Sequence, residues 1–167
     1  YLTINLLDKL ASTNPDAVGS FRLAIAAAAL LHDIGHLAPG SHAAWKSWFP
    51  DVPDAHEDLA QRIIDEDENI RRILERRDHN LPNLVCAILA EADHLPPWTW
   101  EIISGGAWNT DRGNWCVVDS ILAGVSYGKY NIGALTESIV ITEDGHLALR
   151  ENRLDAMMHF MVSRHAM

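Results

Sequence analysis

The sequence predicts an all-α protein with one small β-hairpin near its C-terminus, and three observations carry that expectation. Apolar residues recur at helical spacing through most of the chain. Breakers such as Asn14-Pro15-Asp16, Pro96-Pro97 and Gly105-Gly106 separate the periodic segments. Only near residues 139–149 do two short apolar runs flank a turn, as a hairpin requires.

The elements follow in order. Leu2 to Leu10 has helical spacing, and Asn14-Pro15-Asp16 breaks that helix before another begins near Val18. From Phe21 to Leu31 every residue except Arg22 is apolar, which predicts a helix enclosed on nearly all sides, with Gly35 ending it. Ala38 to Pro53, rich in Gly, Pro and Trp, reads as a loop. From Asp54, the residues His56, Leu59, Ala60, Ile63 and Ile64 fall at i, i+3, i+4, i+7 and i+8, a helix whose inward stripe begins with a histidine. Arg71 to Arg77 continues as a charged helix with Ile70, Ile73 and Leu74 inward and the arginines as a solvated face. Leu84 to Ala92 forms a further helix, and Pro96-Pro97 opens the next, which ends at Gly105-Gly106. Asn109-Thr110-Asp111 supplies capping residues for a helix on which Asp111, Trp115, Val118, Asp119 and Leu122 share one face. The hairpin pairs Ile139 to Thr142 with His146 to Leu149 across Glu143-Asp144-Gly145. In the last helix Leu154, Met157, Met158, Met161 and Val162 form one stripe, expected to face the core.

With 167 residues and no repeat or linker, residues 1–167 read as one domain with a substantial core. The formal net charge of -10 argues against a phosphate-tracking nucleic-acid surface but leaves room for a small phosphorylated ligand held through a metal. Cys86 and Cys116 lie in apolar surroundings without CxxC spacing, so they read as reduced core residues of a cytoplasmic protein. Nothing resembles a signal peptide, and the longest apolar run is too short to span a bilayer, so no membrane role is expected. The chain begins at Tyr1 and stops while a helical pattern is still running, which reads as an excised part of a longer protein.

Against this background Leu30-Leu31-His32-Asp33-Ile34-Gly35-His36 stands out. Placing a carboxylate and an imidazole at the end of so apolar a helix is costly unless both are paired or hold a cation, and His32 with Asp33 offers one nitrogen and one oxygen to a single ion. Asp111 has two readings, an ordinary helix cap or the completion of that metal site, with Arg112 then available to phosphate. His36 competes with a plain helix C-terminal role, and His42 with a turn role. His79, His94, His146, His159 and His165 have no converging partner in the sequence. Trp45, Trp48, Trp98, Trp100 and Trp108 read as core or interface residues.

Taken together, these motifs resemble those of the HD-domain phosphohydrolases, and within them the deoxynucleoside triphosphate triphosphohydrolase branch. Leu30 to His36 is similar to the HD signature, Ser41-His42 to the short histidine loop that follows it, and His56-Glu57 to the His-Glu pair of the next helix. Asn109-Thr110-Asp111-Arg112-Gly113-Asn114-Trp115-Cys116-Val117-Val118-Asp119 resembles the family's Asp-x-Asp-Arg-x-Asp-Tyr-x-x-x-Asp segment. Gly124 to Gly128 and the hairpin also fall where that branch has them.

The resemblance implies an HD-domain helical bundle that hydrolyses a nucleotide, releasing triphosphate from a deoxynucleoside triphosphate. It makes His32, Asp33 and Asp111 metal ligands, His56 with Glu57 the acid/base pair, and His36 and His42 phosphate contacts near the chemistry. Arg112 would hold the phosphate tail, while Trp115 and Asp119 would border the sugar. Imidazole ligation favours Mn, Fe, Zn, Co or Ni, with Mg entering through the phosphates. A homo-oligomer of the longer protein is expected. The match departs at Asn109, Asn114 and Trp115, where the family has Asp, Asp and Tyr, and a further family histidine would lie before Tyr1. Two alternatives stay open: an HD phosphodiesterase acting on another nucleotide, and an inactive nucleotide-sensing or oligomer-forming module.

Overall fold

The computed structural model describes residues 1–36, 42–51 and 55–167, without the side chains of 42–44. The described residues form helices α1 (Leu2–Ala11), α2 (Pro15–Leu31), α3 (His42–Trp48), α4 (His56–Glu66), α5 (Glu68–Glu75), α6 (Leu81–Leu89), α7 (Trp98–Glu101), α8 (Thr110–Leu122), α9 (Ile132–Thr136) and α10 (Leu154–Ala166). The strands β1 (Ile139–Ile141) and β2 (Leu147–Leu149) pair antiparallel, with Val140 opposite Ala148. The protein is therefore all-α with one two-stranded sheet, as its periodicity requires. Among the described residues no helix is long and apolar enough to cross a membrane.

The chain divides into two compact units, one of Tyr1–Leu23 with Pro96–Met167, the other of Ala24–Leu95. In the second, α4, α5 and α6 pack on one another. Their core is Ala60 and Ile64, Leu74, and Leu81, Val85 and Ile88. Asp67 caps α5, its carboxylate accepting the amides of Asn69 and Ile70 at 2.9 Å each. In the first unit α1 buries Leu2, Leu6, Leu7 and Leu10 and packs against α8, α9 and β1.

Several expectations need correction. Helix α2 starts at Pro15, three residues before Val18, because proline suits the first helical position where no amide donor is needed. It is not enclosed on nearly all sides: Leu30 is 82% exposed and Leu23 is exposed one heptad before it. The helix ends at Leu31, before Gly35. The expected loop from Ala38 contains α3, and Trp48 at its end is exposed. Ile73 points outward at 63% exposure because the short α5 buries only Leu74 fully.

The two largest errors concern which face of a helix is inside. On α8 the buried side is Thr110, Gly113, Cys116 and Ser120, while Asp119 and Leu122 of the expected stripe are exposed. Small residues allow close approach: Cys116 Sγ–H donates to the Gly128 carbonyl at 3.2 Å and Ser120 Oγ–H to that of Val125 at 2.8 Å. On α10 the inward residues are Ala156, Phe160 and Ser163, leaving Leu154, Met158, Met161 and Val162 exposed. Phe160 meets Tyr130 edge-on at 4.9 Å, and Ser163 Oγ–H donates to the Lys129 carbonyl. Both cysteines are free thiols, and burial pushes both above the ordinary thiol pKa.

His146, expected to lack a partner, has one. Its Nδ1 lies 2.7 Å from Glu101 Oε1, and the other carboxylate oxygen accepts the Leu147 amide at 2.6 Å. With the Trp98 amide donating to the Gly145 carbonyl, α7 holds the hairpin at its turn. The hydrogen bond to Glu101 raises the His146 pKa above 6.5. A raised folded pKa stabilises below the ordinary value and loses that contribution as pH rises through the folded one. The His146 imidazole should therefore titrate above 6.5 by NMR, and Glu101→Gln should lower its midpoint. An unchanged midpoint in the variant would contradict the ion pair.

Candidate metal centre

His32 follows directly on the last residue of α2, in a turn running to Gly35. Its Nδ1 lies 3.1 Å from the Ala29 carbonyl. A carbonyl only accepts, so an Nδ1–H donating there leaves Nε2 of the neutral ring with its lone pair, the tautomer a metal ligand needs. Nε2 lies 3.3 Å from Asp33 Oδ2, and His36 Nε2 lies 3.4 Å from Asp33 Oδ1. One carboxylate thus stands between two imidazoles, each on its own oxygen. Such a set of one oriented imidazole and an adjacent carboxylate suits a divalent transition-metal ion.

The unit builds a second layer onto this. The His36 and His56 rings stack with centroids 4.1 Å apart and planes 11° from parallel. Gly35 makes that approach possible, because a Cβ there would stand 1.9 Å from the His56 carbonyl oxygen and 2.6 Å from the Ala60 amide nitrogen. The turn after α2 is therefore pressed directly onto the first turn of α4. Glu57, in that first turn, is exposed to solvent. His42 opens α3, but the expected contact of its imidazole with phosphate lies outside the described side chains.

Asp111 and Arg112 lie in the first turn of α8, both half-buried. Asn109 caps the helix, its Oδ1 accepting the Arg112 amide at 2.8 Å while its Nδ2–H donates to the Gly105 carbonyl at 3.1 Å. Thr3 Oγ1–H donates to Thr110 Oγ1, whose own hydrogen goes to the Ile102 carbonyl at 2.8 Å. The Arg112 guanidinium donates to the Gly106 carbonyl. The cap role explains why asparagine fits where the resembled family has aspartate: both side chains accept the amide, and only the amide side chain can also donate to Gly105. Asn114 is exposed and Trp115 half-buried on the same helix, with Asp119 in solvent. Sequence reasoning missed the His36–His56 stack and the Glu101–His146 pair. The first had a signal, a histidine at the head of an inward stripe, but no sequence pattern identifies which ring it meets.

No family model matches the chain. It is 28% identical over 162 residues to the uncharacterized protein YwfO of Bacillus subtilis (strain 168), covering 97% of this chain and 36% of that protein. A phosphohydrolase (BT4208) from Bacteroides thetaiotaomicron VPI-5482 has the same fold, with a TM-score of 0.79 and 20% identity over 100% of this chain and 38% of its own. A hypothetical protein from Aquifex aeolicus gives a TM-score of 0.78 and 25% identity over 100% of this chain and 42% of its own. The chain spans less than half the length of these relatives.

Proposed function

We propose that the chain is the core of an HD-type, metal-dependent phosphohydrolase that converts a deoxynucleoside triphosphate to deoxynucleoside and triphosphate. The observation that carries this reading is the placement of His32 Nδ1 at the Ala29 carbonyl, with Asp33 between His32 and His36. The fold shared with a structure named as a phosphohydrolase supports the reaction class. By the sequence resemblance, His32, Asp33 and Asp111 would hold the ion through one imidazole nitrogen and two carboxylates. Mn, Fe, Zn, Co or Ni suits that nitrogen, and Mg is compatible with a nucleotide-bridged role.

A bound cation supplies two things here, a lowered pKa for a coordinated water and polarisation of a phosphoryl oxygen. The rest falls to side chains. His36, kept beside Asp33 and stacked on His56, presents an imidazole to substrate phosphate, and His42 would add a second. His56 with Glu57 would exchange the proton that the leaving 5′-oxygen requires. Arg112 has one N–H at Gly106 and keeps further guanidinium donors for the phosphate tail. Trp115 and Asp119, on the same helix, would set sugar choice. The free thiols of Cys86 and Cys116 support a reducing, cytoplasmic setting, and the exposed apolar residues of α10 support assembly into a homo-oligomer.

Incubating the full-length protein with dNTPs, NTPs and cyclic nucleotides plus Mn or Mg, with products identified by mass spectrometry, tests the substrate. Deoxynucleoside and intact triphosphate are the expected products. Release of a nucleoside monophosphate, or turnover of a cyclic nucleotide alone, would move the protein to a phosphodiesterase reading.

A further inference from the structure

We infer that Tyr130 and Trp108 are positioning residues that brace the turn carrying Asp111 and Arg112, an inference that rests on the metal-centre reading above. Trp108 Nε1–H donates to the Tyr130 hydroxyl at 3.0 Å, and that hydroxyl donates to the Gly113 carbonyl at 3.0 Å, both bonds being buried. A helix carbonyl has two lone pairs, so Gly113 accepts this bond beside its ordinary helical one. The contact exists because position 113 has no side chain. A Cβ there would stand 2.5 Å from Tyr130 Oη and 2.7 Å from Trp108 Nε1, so the glycine opens the seat that the two heteroatoms fill.

The brace is itself fixed. The Tyr130 ring packs edge-on against Phe160 at 4.9 Å, and burial pushes its phenol up to about 12, so it remains a neutral donor at any working pH. Together with the bonds from Asn109 to Gly105 and from Thr110 to Ile102, the hydroxyl pins the backbone on both sides of Asp111 and Arg112. Tyr130 and Trp108 are both buried. Their effect passes through the rigidity of a ligand-bearing turn, on which metal affinity depends.

Calorimetric titration of Mn(II) into the full-length wild type, Tyr130→Phe, Asp111→Ala and Val85→Ala tests this. Val85→Ala truncates the core of the other unit and serves as a control for lost stability alone. Tyr130→Phe should weaken Mn(II) binding about tenfold, the usual size of an outer-shell effect, and Asp111→Ala should weaken it more. Val85→Ala should lower the thermal midpoint yet keep wild-type affinity. Unchanged affinity in Tyr130→Phe, or an equal loss in Val85→Ala, would overturn the brace. Unchanged affinity in Asp111→Ala would instead remove Asp111 from the metal centre, and the brace with it.

Discussion

Gly35→Ala is expected to destabilise the protein by about 3 kcal/mol, at the upper end of ordinary overpacking. The new methyl would meet the His56 carbonyl oxygen at 1.9 Å and the Ala60 amide nitrogen at 2.6 Å. Both are backbone atoms of α4, so no rotamer change relieves the clash, and the turn must move away from the helix. For a chain of this size that corresponds to a fall in thermal midpoint of roughly 6–12 °C. The same displacement separates His36 from His56, so activity should fall with stability. Gly19 supplies the contrast. It lies in α2, where an added methyl would meet nothing within 4 Å, and Gly19→Ala should stabilise by about 0.5–1 kcal/mol through helix propensity. Thermal denaturation of the two variants side by side checks the argument, and equal midpoints would contradict the tight contact at Gly35.

Asp33→Ala should produce the opposite signature, with activity lost and the fold kept. The Asp33 side chain is 58% exposed, so its removal creates no cavity, and the stability change should stay within about 1 kcal/mol. Its carboxylate, however, lies against both His32 and His36, and in the proposed centre it is a ligand. Losing several kcal/mol of charge stabilisation corresponds to a drop in turnover of about a thousandfold or more. Steady-state kinetics with circular dichroism of the same preparation separates the two effects. Retained turnover would exclude Asp33 from the chemistry.

How much of this was legible beforehand differs from element to element. Most of the helices and the hairpin at Ile139–Ile141 and Leu147–Leu149 followed from periodicity. The His-Asp pair was marked by the cost of burying a carboxylate, an argument the structure does not support, because the Asp33 side chain is 58% exposed. Which face of a helix turns inward did not follow for α8 and α10. There the more hydrophobic stripe is exposed, because Gly113, Cys116 and Ser120, or Ala156 and Ser163, allow closer backbone approach than leucine or methionine would. A hydrophobic pattern measures what could be buried, whereas burial also depends on how near a neighbour can come. The His36–His56 stack was hidden for the same reason: it depends on a glycine contact between segments about twenty residues apart.

The most direct test of the metal centre is to strip the full-length protein with a chelator and measure nucleotide hydrolysis as Mn(II) is returned. A metal held by His32, Asp33 and Asp111 requires an inactive stripped protein, saturable recovery of the wild type, and no recovery of Asp33→Ala. Full turnover in chelator, or recovery of Asp33→Ala to the wild-type level, would contradict it.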